Sequence, residues 1–125
     1  MVKHPERLAK VDPRLVAIIQ KVSETRDVFV IEGARTRAAE EEAIRTGHSS
    51  LKDPMRSKHV IDPATRPLAL AVDLGPVPLV WEDLKGFEWL SVDMKSAAND
   101  LQTPIQWGGD WIHFKDYPHY QLAED

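Results

Sequence analysis

A carboxylate within an apolar strand pattern is the feature that most limits how this chain can fold. Over residues 68–74 (LALAVDL), large apolar side chains alternate with two alanines and Asp73, which is the two-residue period typical of a β-strand. Asp73 shares a face with the alanines, so small side chains leave space beside it. Because burying an unpaired charge costs several kcal/mol, Asp73 must be protonated, hydrogen-bonded or bound to a cation. A salt bridge to Arg35, or a position at the open end of the strand, would satisfy the same requirement without a metal ion.

The remaining pattern predicts helices and short strands in mixed order. Asp12 and Pro13 are typical of a helix start, and the apolar repeat that follows indicates an amphipathic helix. The predicted helices span 13–24, 36–47 and 82–102, the predicted strands span 28–31, 105–107 and 120–122, and 111–114 is a candidate for a returning strand. The apolar face of the third helix is expected to comprise Leu84, Phe87, Leu90, Met94, Ala97, Ala98 and Leu101. The second helix has a thin apolar face and should lie on the surface, and the polar stretch 48–55 suits a mobile loop over a site.

These elements predict a single α+β domain with a small, mainly antiparallel sheet packed with helices. A length of 125 residues allows one core, so we expect a single domain over 1–125. The net charge of −4 gives no reason to expect nucleic acid or an anionic membrane as a partner. The charged start lacks the apolar run of a signal peptide, and no stretch approaches the roughly 20 apolar residues of a membrane span. We therefore expect a monomer that is made in the cytoplasm and is released by something else if it acts elsewhere.

The absence of cysteine limits the chemistry of any metal site. Thiolate zinc sites and disulfides are excluded, so a metal must be bound by His, Asp or Glu. Two histidines and one carboxylate form a known catalytic zinc set that leaves a fourth position for water. Near the C-terminus, Asp116 precedes His119 by three residues, and Pro118 restricts the backbone between them. His113 competes with His119, and His48 with His59, and the spacing alone does not prove that any of these side chains converge.

Several segments together resemble one known family. They are Ser57-x-His59, Ala71-x-Asp73, the GARTR segment that contains Arg35, the WGGDW segment 107–111, and the set Phe114, Asp116, Pro118 and His119. The chain resembles phage endolysins of the L-alanyl-D-glutamate peptidase type, which are related to zinc D-alanyl-D-alanine carboxypeptidases and to the hedgehog domain. The resemblance covers nearly the whole chain and implies a hedgehog/DD-peptidase-like fold.

The resemblance also implies a role for each matching residue. It makes His59, Asp73 and His119 the zinc ligands and Asp116 the general acid and base, in a single catalytic peptidase domain over 1–125 with no separate wall-binding module. Arg35, whose guanidinium suits a carboxylate, is expected to bind the substrate together with Ser57. His113 and Trp111 would line the cleft or support a ligand. The alternative for Arg35 is an ion pair with Glu32 or Glu40. Thirteen residues separate His59 from Asp73, more than is common in the family, as though residues 62–68 were inserted.

The expected function is hydrolysis of the L-alanyl-D-glutamate bond in peptidoglycan stem peptides by zinc-activated water, after a holin-type release from the host cytoplasm. One alternative is a D,D-carboxypeptidase that removes terminal D-alanine. A second is a zinc-binding module without catalysis, for which a general base at Asp116 would have no use. A third is a structural protein whose histidines are incidental.

Overall fold

The computed structural model describes residues 1–47 and 57–123, and a five-stranded sheet forms its centre. The strand order is β1-β2-β5-β7-β6, and only β1 and β2 are parallel, so the expectation of a mainly antiparallel sheet is confirmed. These strands are β1 (Val2–Lys3), β2 (Val28–Glu32), β5 (Ala71–Pro76), β6 (Ile105–Trp107) and β7 (His119–Leu122). A second, two-stranded parallel sheet pairs β3 (Arg35–Thr36) with β4 (Val60–Ile61).

Each of the three α-helices of the described residues begins with a side-chain cap, and the cap of the first is the predicted Asp12. Helix α1 (Pro13–Ser23) follows Asp12, whose carboxylate accepts a hydrogen bond from the Arg14 backbone N–H at 2.9 Å. The other two are α2 (Arg37–Arg45), capped by Thr36, and α3 (Leu84–Asp100), capped by Asp83. Such caps satisfy N–H groups that have no partner within the helix. None of these helices is long and apolar enough to cross a membrane.

Helices α1 and α3 pack against each other and enclose the main core with the sheet. Most of the predicted face of α3 is buried, including Phe87, Leu90 and Met94. Leu84 and Leu101 are exceptions, with 44% and 41% of their surface exposed. They lie at the first turn of the helix and just beyond its last residue. The predicted face was therefore correct in its centre and wrong at both ends.

The apolar run 68–74 does not form one strand as predicted. Strand β5 begins only at Ala71, because Ala69 and the Leu70 N–H pair with other segments, although the Leu70 carbonyl oxygen still accepts from the Leu122 N–H of β7 at 3.0 Å. Ala69 forms an isolated bridge with Val11, and the Leu70 N–H donates to the Lys58 carbonyl oxygen at 2.8 Å. Burial does not follow the predicted alternation at the start of the run either, because Leu68 is exposed while Ala69 and Ala71 are completely buried.

The returning strand considered at 111–114 is absent. Gly108–Asp110 forms a turn of 3-10 helix after β6, and residues 111–114 have no strand pairing. Ile112 is 89% exposed and Phe114 is 72% exposed. Helix α2 lies mostly exposed, as expected, but its one buried residue is Glu40. The predicted loop 48–55 and the competing ligand His48 lie outside the described residues.

Candidate metal centre

Three side chains that the sequence singled out converge on one point. His59 Nε2 lies 3.1 Å from Asp73 Oδ1 and 3.3 Å from His119 Nδ1, and His119 Nδ1 lies 3.3 Å from Asp73 Oδ1. Both histidines are buried, and Asp73 is partly buried. The three atoms thus form a nearly equilateral triangle.

The sheet brings two of these residues together. Asp73 on β5 is the direct cross-strand partner of His119 on β7, so both side chains project from the same face. His59 comes from the turn before β4. The long segment between His59 and Asp73 does not separate them, because it folds back on itself through a two-way backbone pairing of Asp62 with Arg66 at 2.7 and 2.8 Å. The unusual spacing is therefore compatible with one shared site.

The outer nitrogen of each imidazole contacts an oxygen acceptor. His59 Nδ1 lies 2.9 Å from the Gly33 carbonyl oxygen, and His119 Nε2 lies 2.8 Å from Gln121 Oε1. The Gln121 amide nitrogen donates to Gln106 Oε1 at 3.1 Å, which leaves its oxygen facing the imidazole. Since these oxygens only accept, each ring carries its proton on the outer nitrogen. The inner nitrogens then present lone pairs to the centre of the triangle.

This arrangement fits a divalent metal ion. Two imidazole lone pairs and a carboxylate oxygen would repel one another at 3.1–3.3 Å unless positive charge lay among them. In a tetrahedral zinc site with bonds of about 2.0–2.1 Å, neighbouring ligand atoms stand about 3.3–3.4 Å apart. The outward N–H bonds are those that usually orient metal-binding histidines. The donor set and its spacing therefore suit zinc, with His59, Asp73 and His119 as the residues that would hold it.

The pKa shifts at the centre point to the same preference for positive charge. Burial alone would raise the pKa of Asp73, but its hydrogen bonds with the His119 and His59 rings outweigh that effect and hold the pKa well below its ordinary value. Burial alone would lower the pKa of His59, but its bond to Asp73 outweighs that effect and raises the pKa. Both shifts favour positive charge beside the Asp73 carboxylate.

Asp116 is fixed beside the centre by its backbone. Its N–H donates to the Gly108 carbonyl oxygen at 2.9 Å, and its carbonyl oxygen accepts from the His119 N–H at 3.1 Å. A side chain at position 108 would place its Cβ 2.2 Å from the Asp116 carbonyl oxygen, so this close approach requires glycine. Burial and the negative charge of Asp73 raise the pKa of Asp116, against the opposing effect of the two histidines.

The two predicted substrate-binding residues make contacts within the chain. Arg35 donates to both carboxylate oxygens of Glu32, at 2.8 and 2.7 Å, and to Glu40. The ion pair considered as the alternative for Arg35 is therefore present. Ser57 Oγ accepts a hydrogen bond from the His59 N–H at 3.3 Å and so shapes the turn that presents His59. Their roles in substrate binding stay predictions.

The segment after Gly109 supplies one neighbour of the centre. The Trp111 ring packs against the His119 imidazole, with 5.1 Å between ring centroids. His113, the competitor for His119, is exposed and does not belong to the cluster. The contacts that orient the imidazoles come instead from Gly33 and Gln121, which sequence reasoning missed. Gln121 lies two residues after His119 on a strand, a spacing that places both on one face and could have revealed it.

Comparison with known proteins agrees with this geometry. A model of the phage L-alanyl-D-glutamate peptidase family matches residues 2–122. The L-alanyl-D-glutamate peptidase of Escherichia phage T5 is 30% identical over 117 residues, which cover 90% of this chain and 80% of that protein.

Two crystal structures share the fold. The Serratia marcescens L-Ala D-Glu endopeptidase ChiX matches with a TM-score of 0.79 at 28% identity, over 98% of this chain and 90% of that one. The vancomycin-resistance D,D-pentapeptidase VanY, crystallised with Zn(II), matches with a TM-score of 0.57 at 15% identity, over 91% of this chain and 73% of that one. The expected hedgehog/DD-peptidase-like fold is confirmed. The family model covers residues 2–122, which shows that this chain belongs to the phage L-alanyl-D-glutamate peptidase family.

Proposed function

We propose that this chain is a zinc-dependent endolysin that hydrolyses the L-alanyl-D-glutamate bond of peptidoglycan stem peptides. The observation that carries the proposal is the triangle of lone pairs formed by His59, Asp73 and His119, in a chain whose family is named for that reaction. Three protein ligands are the number found in catalytic zinc sites, in which a fourth position takes water or substrate. Bound zinc would polarise the scissile carbonyl and lower the pKa of the attacking water.

Asp116 is the proposed general base and acid. The pKa of its carboxyl is raised by burial and by Asp73, which makes it a better proton acceptor than an exposed aspartate. It would take a proton from the attacking water as the new C–O bond forms. It would then deliver that proton to the leaving amine of D-glutamate as the C–N bond breaks. The backbone bonds to Gly108 and His119 hold it beside the metal ligands through both steps.

A digest of purified murein tests this proposal. The protein is assayed with zinc, with a chelator, and as the Asp116→Asn variant, and the products are identified by mass spectrometry. We expect chelation to abolish cleavage, zinc to restore it, and products with a new L-alanine carboxyl end and a new D-glutamate amino end. Release of D-alanine alone would favour a D,D-carboxypeptidase, and a zinc-loaded wild type that cleaves nothing would favour a binding module.

The matched control for Asp116 is Asp110, an aspartate in the same segment that forms an exposed ion pair with Lys95. Asp110→Asn should keep both zinc and activity. Asp116→Asn should keep one zinc per chain and lose most turnover. An Asp116→Asn protein that is zinc-loaded and fully active would end the assignment of the general base.

We also infer where the chain acts. Family membership supports synthesis in the cytoplasm of a bacterial host and action on its cell wall. Expression in a host with and without a co-expressed holin tests this, because lysis should require the holin. Lysis of intact cells by the chain expressed alone would contradict a holin-type release.

A further inference from the structure

A buried carboxylate lies outside the metal centre and has no part in the proposed mechanism. The Glu40 side chain is 1% exposed, although it belongs to a helix whose other residues are exposed or half-buried. Glu40 forms an ion pair with Arg35, which also binds Glu32 in a two-pronged arrangement. All three guanidinium nitrogens of Arg35 thus donate to carboxylates of this chain. A charge is rarely buried to this degree unless it is paired, so the pair must be formed for the segment to pack.

The backbone around Arg35 holds His59 at two points. The Arg35 N–H donates to the His59 carbonyl oxygen at 2.7 Å, where β3 meets β4. The Gly33 carbonyl oxygen, two residues earlier, accepts from the His59 ring at 2.9 Å. The short segment from 33 to 35 therefore fixes both the main chain and the ring orientation of one candidate ligand.

The side chain of Arg35 binds a carboxylate before that segment in sequence and another after it. Glu32 is the last residue of β2 and pairs with Asp73 across the sheet, next to an irregularity in the register. Glu40 lies on α2, on the other side in sequence. Arg35 therefore joins the end of β2 to helix α2 across the bend that carries the Gly33 carbonyl. The geometry of a bidentate guanidinium–carboxylate pair is more restrictive than that of a lysine pair.

We propose that Arg35, held by Glu32 and Glu40, is a positioning residue that orients His59 for metal binding, and that it does not take up a carboxylate of the substrate. This inference rests on the proposed function, because it takes His59 to be a metal ligand. It assigns Glu40 a role in metal affinity although no atom of Glu40 belongs to the site.

The test measures zinc affinity by competition with a chromophoric chelator in Glu40→Gln and Arg35→Lys. Glu41→Gln is the matched control, because Glu41 is the next residue of α2 and forms an exposed pair with Arg37. We expect about tenfold weaker zinc binding in both test variants, the scale of losses when a group that orients a ligand is removed. The control should bind as wild type does. Arg35→Lys keeps the charge but cannot hold both carboxylates, so it carries the test alone if Glu40→Gln does not fold.

Two further readouts separate positioning from other roles. In the metal-free protein, the His59 Nδ1 proton should exchange with solvent at least about fivefold faster in the test variants, because its bond to Gly33 is less well held. With a soluble muropeptide, kcat should fall and KM should stay within twofold. A raised KM at unchanged zinc affinity would instead show substrate binding by Arg35, and lower stability at unchanged zinc affinity would show a purely structural pair. Either outcome overturns the inference.

The proposed function can fail independently of this inference. A wild type that binds zinc but cleaves no murein would end the proposed function, and the ranking of zinc affinities would still test the positioning role. If the wild type bound no zinc, exchange of the His59 proton in the metal-free variants would still be measured. An exchange rate equal to that of wild type in both variants would refute the positioning role.

Discussion

Gln121 supplies the hydrogen-bond acceptor of His119, and replacing it should weaken metal binding. The loss should be larger for a replacement that excludes water from the vacated space than for one that admits a water molecule. Gln121 Oε1 accepts from His119 Nε2 at 2.8 Å, and His119 is buried. Gln121→Leu keeps most of the side-chain volume but leaves that N–H without a partner. Gln121→Ala removes the same acceptor but opens space for a water molecule. Gln121→Glu keeps an acceptor in the same place.

The size of each effect follows from the state of the imidazole N–H. A buried donor without a partner costs about 1–3 kcal/mol, which corresponds to about fivefold to 150-fold in the zinc dissociation constant. A water molecule recovers most of the lost bond, so Gln121→Ala should cost no more than about fivefold. Gln121→Glu should bind zinc at least as tightly as wild type, because a carboxylate acceptor makes the imidazole a better ligand.

Competition with a chromophoric chelator at neutral pH measures these dissociation constants. Gln106→Leu is the matched control: Gln106 contacts Gln121 from the neighbouring strand and has no hydrogen bond to His119. It removes only the bond that orients the Gln121 amide, so it should weaken zinc binding less than Gln121→Leu does. If Gln121→Leu binds zinc as wild type does, or if Gln121→Ala is the weaker of the two, the outer hydrogen bond does not hold the ligand and the reasoning fails.

Three further predictions concern other parts of the molecule. His119→Ala should bind less than one zinc per chain by metal analysis, and His113→Ala, an exposed histidine, should keep full stoichiometry. Leu90→Ala should lower the free energy of unfolding by about 2–5 kcal/mol in a denaturant titration, because Leu90 is completely buried. Asp12→Ala should cost about 1 kcal/mol at neutral pH through the lost helix cap. The bond to Arg14 lowers the pKa of Asp12 in the folded state, so this contribution is complete above about pH 5. It is lost as the pH falls below 4 towards the lowered pKa, and unfolding curves from pH 7 to 2 should show the two proteins converging.

The sequence predicted the three converging residues better than it predicted the contacts that surround them. Asp73 stood out because a carboxylate interrupted an apolar alternation, and this signal depends only on local pattern. Its convergence with His59 depends on contacts between segments far apart in the chain. Local periodicity cannot reveal such contacts, and the family resemblance supplied them. The contact of Gly33 with His59 could not be predicted from the sequence, because Gly33 acts through its carbonyl oxygen, a group that every residue has.

The errors in the fold have a related cause. Ala69 fits a strand pattern because it is buried, but it pairs with Val11, and Leu70 divides its backbone hydrogen bonds between Lys58 and Leu122. The apolar character of a residue indicates burial, but it does not indicate which segment the backbone of that residue pairs with. For Arg35 the sequence allowed two interpretations, substrate binding and an ion pair within the chain, and both were chemically reasonable. Only the positions of Glu32 and Glu40 reveal that an ion pair forms.

The core determines which side of the sheet carries the metal centre. Val72 on β5 pairs with Tyr120 on β7, and both are completely buried, while the adjacent pair, Asp73 and His119, projects from the opposite face. A slip of one residue in either strand would exchange the two faces. It would turn Tyr120 towards solvent and place His119 in the apolar core.

The free-energy cost of such a slip would be comparable to the whole free energy of unfolding of the protein. Burying a large apolar side chain contributes about 1.5–3 kcal/mol, and Val72, Leu74, Tyr120 and Leu122 all depend on this register. Their combined contribution of roughly 6–12 kcal/mol is comparable to the total stability of a small domain, about 5–15 kcal/mol. The fold therefore brings Asp73 and His119 together without help from a metal ion, unlike zinc domains that unfold when the metal is removed. Chelation should consequently abolish activity and leave the near- and far-ultraviolet circular dichroism unchanged at 25 °C. Loss of the near-ultraviolet signal on chelation would show that the metal, and not the core, holds these strands in register.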